Sequence, residues 1–319
     1  MGIFAFIKRW ALLVAICTGC TVYLLFSHIP VLEPFGEIVG PYAMQYIPYL
    51  VFALLYVTFC KIDIKEMRPQ AWHFILQLIR TGLSALLVWL ICMTDDLTSK
   101  IILEGVFICF ICPTAAAAAV VTEKLGGSIG SLTTYTIIAN VFTMVIIPFF
   151  FPMVEKEADI TFISAAAIVF QKVTLVLVIP LIAALITRKF APKFIEFLKI
   201  YKDLGFYLWC FNLSIVSGET LCNILHADVT GWTLTLLLVL PLFVAFLQFT
   251  IGKSVGRCYG ASISAGQALG QKNTIVGIWL TLTFLNPLAA VAPGAYVLWQ
   301  NIINGLQLWY KEKYGELKW

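Results

Sequence analysis

Ten runs of about 20 predominantly apolar residues divide the chain, and each has the length of a helix that crosses a lipid bilayer. They lie at residues 10–28, 41–60, 71–93, 101–122, 128–152, 162–187, 204–225, 232–252, 262–284 and 287–310. Only 12% of the 319 residues are charged, compared with about 25% in an ordinary soluble domain. The deficit extends along the whole chain, so the sequence predicts an all-α integral membrane protein with ten transmembrane helices and no soluble domain.

The basic residues of the connecting segments alternate between the two sides of the predicted membrane. Sixteen lysines and arginines fall on the side that holds both termini, whereas the opposite side holds only Lys100 and Lys156. Because cytoplasmic loops carry the excess of lysine and arginine, both termini are predicted to be cytoplasmic, in a multi-pass protein of the cell (inner) membrane. One helix more or fewer would break the alternation, so the charges also support the number of spans.

Spans four and nine are interrupted near their middle. Span four contains Cys112-Pro113-Thr114, where the proline removes a helical hydrogen bond. Span nine contains four polar residues in succession, 271–274, and one of them is Lys272. These are corresponding positions in two groups of five spans, residues 1–160 and 161–319, and the odd number inverts the second group. Interrupted spans at corresponding positions of inverted repeats indicate the binding site of a secondary transporter.

Several polar features of the spans have two interpretations. Thr136 and Asn140 of span five belong to a stripe that either bonds neighbouring helices or lines a polar path. Span ten carries a similar stripe of Gln300, Asn301, Asn304 and Gln307. Arg80 and Lys172 either extend to the membrane surface or serve a function within the membrane. For the interrupted spans, the alternative is a proline kink with a seam of small residues.

Two stretches of the chain resemble the bile acid:sodium symporter family, namely "CPTAAAAAVVTEKLGGSIGSLTTYTIIANVFTMVIIP" and "GQKNTIVGIWL". The number and orientation of the spans are similar as well. The resemblance implies two inverted five-helix repeats, whose broken spans four and nine cross in a core domain beside a panel domain of spans one, two, six and seven. The related arsenite-efflux carriers have Pro-Cys-Thr at the break, whereas the order here is Cys112-Pro113-Thr114.

In span four and span five the chain departs from the family pattern. The resemblance would place a serine-asparagine pair after the proline as sodium ligands, and these positions look like Ala118 and Ala119 here. Of the two hydroxyls that the family has in span five, one falls on Leu132 and the other on Thr136. Most of the side-chain oxygens that the resemblance implies as sodium ligands are therefore missing.

Span nine departs further. One register places Ala268 and Lys272 at the glutamate and glutamine of the family, and a shift of one residue places Gln267 and Gln271 there. Both registers lack the carboxylate, so Thr136, Gln267 and Gln271 are the only candidate metal ligands. We therefore hypothesise that Lys272 is a covalently attached cation in the place where the family binds sodium, and that it attracts an anion.

The predicted function is secondary active transport of a small organic anion, bile-acid-like or a carboxylate, by alternating access. The candidate substrate-binding residues are Thr114, Thr136, Asn140, Gln267, Gln271, Lys272, Asn273 and Thr274. The alternative is a proton-coupled or uniport anion efflux carrier of the same fold, because a desolvated lysine loses its proton readily.

Other functional classes are less favoured. A membrane enzyme would need a catalytic motif such as H-E-x-x-H or G-x-S-x-G, and a sensor would need an output domain; the sequence has neither. The C-x-x-C pairs are interpreted as packing residues, so no cofactor is predicted beyond a coupled sodium ion or proton. The expected partners are the organic anion and the lipid bilayer, and no basic aromatic-rich stretch indicates nucleic acid.

Overall fold

The computed structural model of the chain describes residues 7, 10–61, 67–115, 117–154, 171, 178–201, 203–226 and 230–317. Within these ranges the chain is helical, apart from short connections, and forms no β-strand. The helices in chain order are α1 Ala11–His28, α2 Glu33–Lys61, α3 Ala71–Cys92, α4 Leu97–Ile111, α5 Ala118–Leu125, α6 Ile129–Val154, α7 Ile179–Phe190, α8 Pro192–Ile200, α9 Leu204–Leu225, α10 Gly231–Arg257, α11 Ser262–Gly270, α12 Thr274–Phe284 and α13 Val291–Tyr314. A 3-10 turn at Pro287–Ala290 precedes α13.

Apolar helices of membrane-spanning length recur along the described ranges. By length and composition, α1, α3 and α10 can each cross a membrane, and the bent helices α2 and α6 can do so if each is one span. The helices α4, α5, α11 and α12 have 15, 8, 9 and 11 residues, so each is too short to cross alone. Several helices of this length and composition are typical of a multi-pass membrane protein.

Some predicted boundaries differ from the helices, and others cannot be compared with them. The second helix begins at Glu33 rather than at residue 41, and Pro34 lies in its first turn, where the fixed φ of proline suits a helix. Most of span six, with Lys172, lies outside the described residues, which resume at residue 178. The predicted boundary between the repeats, at residues 160 and 161, also lies outside them.

The chain divides into two compact units. The first unit comprises Met1–Ile62, Leu175–His226 and Asn301–Trp319, and the second comprises Asp63–Thr174 and Ala227–Gln300. In the first unit α1 and α2 pack against α9, and α7 packs against α2. In the second unit α10 packs against α11, and α3 packs against α4 and α6.

Two apolar clusters form the core of the second unit. One joins the last turns of α4 to α6 and α12, and it includes Phe107, Ile111 and Phe284. The other joins the start of α3 to α5, α6 and α11, and it includes Trp72 and Leu269. Each interrupted span therefore has one half in each cluster, and its break falls between the two halves.

Glycine allows α1 and α9 to approach closely within the first unit. A Cβ atom built on Gly19 would lie 1.8 Å from the carbonyl oxygen of Ser214. Gly19→Ala is therefore expected to lower the free energy of unfolding by about 1–3 kcal/mol, because backbone cannot give way as a flexible side chain can. Thermal unfolding of the purified protein in detergent measures the effect.

The matched control is Gly82→Ala in α3, where a Cβ would meet no atom within 4 Å. This variant should melt at or above the wild-type temperature, because alanine favours a helix over glycine by about 1 kcal/mol. Equal melting temperatures for the two variants would contradict the close approach at Gly19.

Candidate functional site

The break of span four lies between α4 and α5, and the break of span nine lies between α11 and α12. The two breaks meet in the second unit and hydrogen-bond to each other. We call this pair of segments the crossover. Thr114 and Lys272 form an isolated antiparallel bridge. The amide of Ala115 donates to the carbonyl of Gln271 (3.0 Å), and the amide of Asn273 donates to the carbonyl of Pro113 (2.8 Å). Non-helical backbone at membrane depth is tolerated only when its polar groups are satisfied internally, and this pairing satisfies part of that requirement.

The end of α4 leaves three carbonyls without their usual donors. Pro113 has no N–H, and the chain leaves the helical path after Ile111. The carbonyls of residues 109–111 would otherwise accept from the amides four residues later, as helix carbonyls do. Unpaired carbonyls buried in an apolar environment are costly, so other groups of the fold must supply donors.

Two of these donors are the side chains of Gln248 in α10 and of Lys272 between α11 and α12. The Gln248 amide of α10 donates to the Cys109 carbonyl (3.1 Å). The Lys272 ammonium donates to the carbonyls of Phe110 (3.0 Å) and Cys112 (3.3 Å). Because the carboxyl end of a helix carries partial negative charge, the ammonium is electrostatically favourable there.

The remaining donor is the guanidinium of Arg80 from α3. Its Nη1 donates to the carbonyls of Ile111 (3.4 Å) and Cys112 (3.3 Å), and its Nη2 donates to Ala139 of α6 (3.3 Å). Arg80 Nη1 and Lys272 Nζ thus donate to the same oxygen, that of Cys112, each at 3.3 Å. The two nitrogens therefore cannot be farther apart than twice this distance. From the sequence, Arg80 could either extend to the membrane surface or serve a function within the membrane. The structure buries it inside the second unit.

The carbonyls at the end of α11 also accept hydrogen bonds from side chains. The Thr114 hydroxyl donates to the Ala268 carbonyl (2.7 Å), and the Tyr296 hydroxyl donates to the Gly270 carbonyl (2.8 Å). The Gln300 side chain bonds both backbone groups of Lys272, accepting from its amide (2.7 Å) and donating to its carbonyl (3.3 Å). Tyr296 and Gln300 of α13 thus hold in place the backbone that carries the Lys272 side chain.

The predicted site residues divide into those at the crossover and those that bond within their own helix. Besides Thr114 and Lys272, the crossover contains Asn273. The side-chain oxygen of Asn273 accepts from the Val276 amide (3.3 Å) and so caps the amino end of α12. The Thr274 amide donates to the Lys272 carbonyl (3.0 Å). In α6, by contrast, Thr136 donates to Leu132 (2.9 Å) and Asn140 donates to Thr136 (2.7 Å). No hydrogen bond in the described chain joins those two side chains to the crossover.

The candidate sodium ligands are buried, and their side chains take part in hydrogen bonds. The side chains of Gln267 and Gln271 are buried and bond to each other at 2.5 Å, while the Thr136 hydroxyl is used within α6. Ala118 and Ala119 are buried and offer no side-chain oxygen. Within the described ranges there is also no group of histidine, cysteine, aspartate or glutamate side chains that could hold a metal. The Gln271 Oε1 has no hydrogen-bond partner in the described chain, and a hydroxyl that donates can still coordinate a cation, so what these residues lack for sodium is a carboxylate.

The two cations of the crossover are both buried and lack a carboxylate partner. Lys272 is 2% exposed and Arg80 is 1% exposed. In the described part of the chain, neither forms an ion pair with an acidic side chain. The buried acid Glu104 is engaged elsewhere, since it accepts from the Asn286 amide (3.0 Å) and lies 3.9 Å from Lys100. Because the Arg80 guanidinium stays charged when it is buried, this region favours an anionic ligand over a cationic one.

Gln248 and Tyr296 are contributors that sequence reasoning missed. Each is a polar side chain within an apolar span, which was the available signal, and they bond to each other at 3.0 Å. Gln248→Leu and Tyr296→Phe are each expected to reduce the free energy of unfolding by about 1–2 kcal/mol, because the carbonyls of Cys109 and Gly270 lose their donors.

The double variant should lose less than the sum of the single losses, because both single variants remove the shared bond. Thermal unfolding of the four proteins measures this coupling. Thr250→Val is the control, since Thr250 is exposed and bonds within α10, and it should change stability by less than about 0.5 kcal/mol. Strict additivity of the two crossover substitutions would contradict the shared bond.

Comparison with known proteins addresses the family. A model of the Sodium Bile acid symporter family matches residues 47–227, which is more than half of the chain. A comparison with curated proteins gave no significant match. Members of this family are transporters, in agreement with the apolar helices and the paired breaks described above. The chain belongs to the sodium bile acid symporter family.

Proposed function

We propose that this protein is a secondary active transporter that moves a small organic anion, bile-acid-like or a carboxylate, by alternating access. The proposed architecture has ten spans in two inverted five-helix repeats, with both termini cytoplasmic. Family membership supports it, as does the pairing of two interrupted spans in the second unit. The division of the chain is a further support, because helices of spans one, two and seven belong to the first unit.

Lys272 is proposed to act as a built-in cation in place of sodium. The observation that carries this is the position of its ammonium, 3.0 Å from the Phe110 carbonyl oxygen and 3.3 Å from that of Cys112. Carbonyl oxygens of unwound helices are the groups that coordinate sodium in transporters with broken spans. An ammonium that already neutralises them leaves a bound sodium ion little to gain.

The proposed cargo is anionic because the crossover carries two buried cations. The amino ends of α5 and α12 add positive dipole ends at the two breaks. We retain Thr114, Thr136, Asn140, Gln267, Gln271, Lys272, Asn273 and Thr274 as the proposed substrate-binding residues. Of these, Thr136 would have to release its bond within α6 before it could donate to a substrate, whereas Asn140 keeps a second N–H beside the one that donates to Thr136.

Solute flux in proteoliposomes tests the proposed function. Purified protein should take up a labelled bile acid or a small carboxylate by counterflow, and mass spectrometry should recover the solute chemically unchanged. Protein-free vesicles are the control. Recovery of a modified product would support an enzyme, and no flux of any tested anion would contradict transport.

The same vesicles test the proton-coupled alternative. An inward proton gradient imposed without sodium should leave the initial uptake rate unchanged if Lys272 acts as a fixed cation, because uptake is then driven by exchange for a second anion. Acceleration by the gradient would instead support a carrier in which the lysine exchanges its proton.

A further inference from the structure

The buried face of α3 is polar over much of its length. His73, Gln77, Arg80 and Ser84 are spaced by four, three and four residues, so they share one side of the helix. All four are at most 1% exposed. The same face becomes apolar only at Val88 and beyond. A polar face buried inside a membrane protein requires internal partners or a ligand.

Several polar atoms on this face have no hydrogen-bond partner in the described chain. They are both amide atoms of Gln77, the Nε of Arg80, the hydroxyl of Thr81 and the hydroxyl of Ser84. Buried polar atoms are rarely left unpaired in native proteins, and each exception calls for a water or an ion. Gln77 and Ser84 flank Arg80 by about one helical turn on either side.

The charge of Arg80 favours an anion over a cation beside these atoms. Arginine has no acceptor and remains charged, so its Nε can only donate. The Gln77 amide nitrogen and the hydroxyls of Thr81 and Ser84 can donate as well. The other two guanidinium nitrogens already donate to Ile111, Cys112 and Ala139, which orients the Nε edge.

We infer that a small monovalent anion, chloride-sized or a carboxylate head, binds the α3 face at Gln77, Arg80 and Ser84. Such an ion would accept from the Arg80 Nε and from the neighbouring amide and hydroxyl donors. It would also supply the negative charge that the described carboxylates do not provide near Arg80 and Lys272. This inference goes beyond the proposed function, because it requires neither a particular cargo nor sodium independence.

Anion-dependent thermal unfolding of the purified full chain tests the site. Chloride, bromide and formate are titrated against gluconate at constant ionic strength, because gluconate is too large for an enclosed site. A saturable rise in melting temperature is expected with at least one small anion, reaching about 5 °C at a hundredfold excess over its Kd. No saturable rise with any of the three would overturn the inference and leave buried water as the occupant.

Two variants test the site without a change at Arg80, whose guanidinium also donates to the carbonyls of Ile111 and Cys112. Gln77→Leu and Ser84→Ala should lose the anion-dependent rise while melting at or above the wild-type temperature in gluconate, because each removes an unpaired buried group. Thr58→Val is the control, since this buried hydroxyl bonds within α2 in the first unit, and it should keep the rise. Variants that retain the full rise would overturn the placement on α3.

The anion could be a resident ion or the head of the transported solute, and uptake distinguishes these sources. A resident ion should raise the melting temperature without competing with the cargo. A cargo site should show formate stabilisation together with competitive inhibition of uptake by formate. Both outcomes support an anion site, and they differ in the identity of its occupant.

Discussion

Lys272→Met is expected to reduce uptake at least tenfold and to lower the free energy of unfolding by about 1–3 kcal/mol. Methionine keeps most of the side-chain length but removes the ammonium, so the Phe110 carbonyl loses its donor and the crossover loses a charge. A hydrogen bond from a charged donor contributes about 1.5–3 kcal/mol, and a factor of ten in rate corresponds to about 1.4 kcal/mol. Initial uptake rates in proteoliposomes and melting curves in detergent measure the two effects.

The control for Lys272→Met is Lys253→Met near the end of α10. Lys253 is 4% exposed, so the chemical change is matched and both side chains have little exposed area, although Lys272 lies deeper in the protein. Its ammonium is not among the groups that cap the carbonyls at the end of α4, and its replacement should leave most of the uptake intact. Similar losses in the two variants would show that removal of any buried ammonium impairs the protein, which would contradict a specific role for Lys272.

Arg80→Met is expected to lower the free energy of unfolding by about 2–5 kcal/mol, more than the loss of any other single side chain at the crossover. Three carbonyls in two helices accept from this guanidinium, and those of Ile111 and Ala139 would lose a donor inside the second unit. The melting temperature should fall by about 5–15 °C. Arg80→Lys should not restore it, because one ammonium cannot replace a planar fork that reaches both α4 and α6.

Arg188→Met provides the comparison for Arg80. Arg188 is half-buried, and its Nη2 donates to the Cys60 carbonyl (3.2 Å) in the first unit. This hydrogen bond at a partly solvated position should contribute about 1 kcal/mol. If the two arginine variants melt at the same temperature, Arg80 does not hold the end of α4 to α6.

The positions of the breaks could be predicted from the sequence, because they follow from local backbone chemistry. Pro113 cannot continue a helix, and α4 ends at Ile111. The polar run after Gly270 predicted the second break, and α12 resumes at Thr274. These are properties of adjacent residues, so no knowledge of tertiary packing was required.

The partners of each group at the breaks could not be predicted from the sequence. Gln248 and Tyr296 are isolated polar residues in apolar spans, and only their proximity in the fold shows that they complete two different helix ends. Arg80 had two possible environments, because its long side chain allows it to reach either the surface or the interior. Donor and acceptor pairing between residues that are 26, 31 or 139 positions apart depends on packing that no local pattern records.

The polar stripe of span five shows another limit of sequence reasoning. The spacing of Thr136 and Asn140 correctly placed them on one helical side, but hydroxyl and amide groups in an apolar helix can bond the carbonyl four residues earlier. Both do so here. A polar stripe in a membrane helix therefore indicates residues that could line a path without showing that they do.

Sodium dependence of transport tests the central claim about Lys272 most directly. Initial uptake by the wild-type protein is measured in proteoliposomes across a sodium titration, with N-methylglucamine holding the ionic strength constant, and Lys272→Met is measured in parallel. If Lys272 is the built-in cation, the wild-type rate should not change with sodium concentration. Strict and saturable sodium dependence of the wild-type protein would contradict the substitution of Lys272 for the ion.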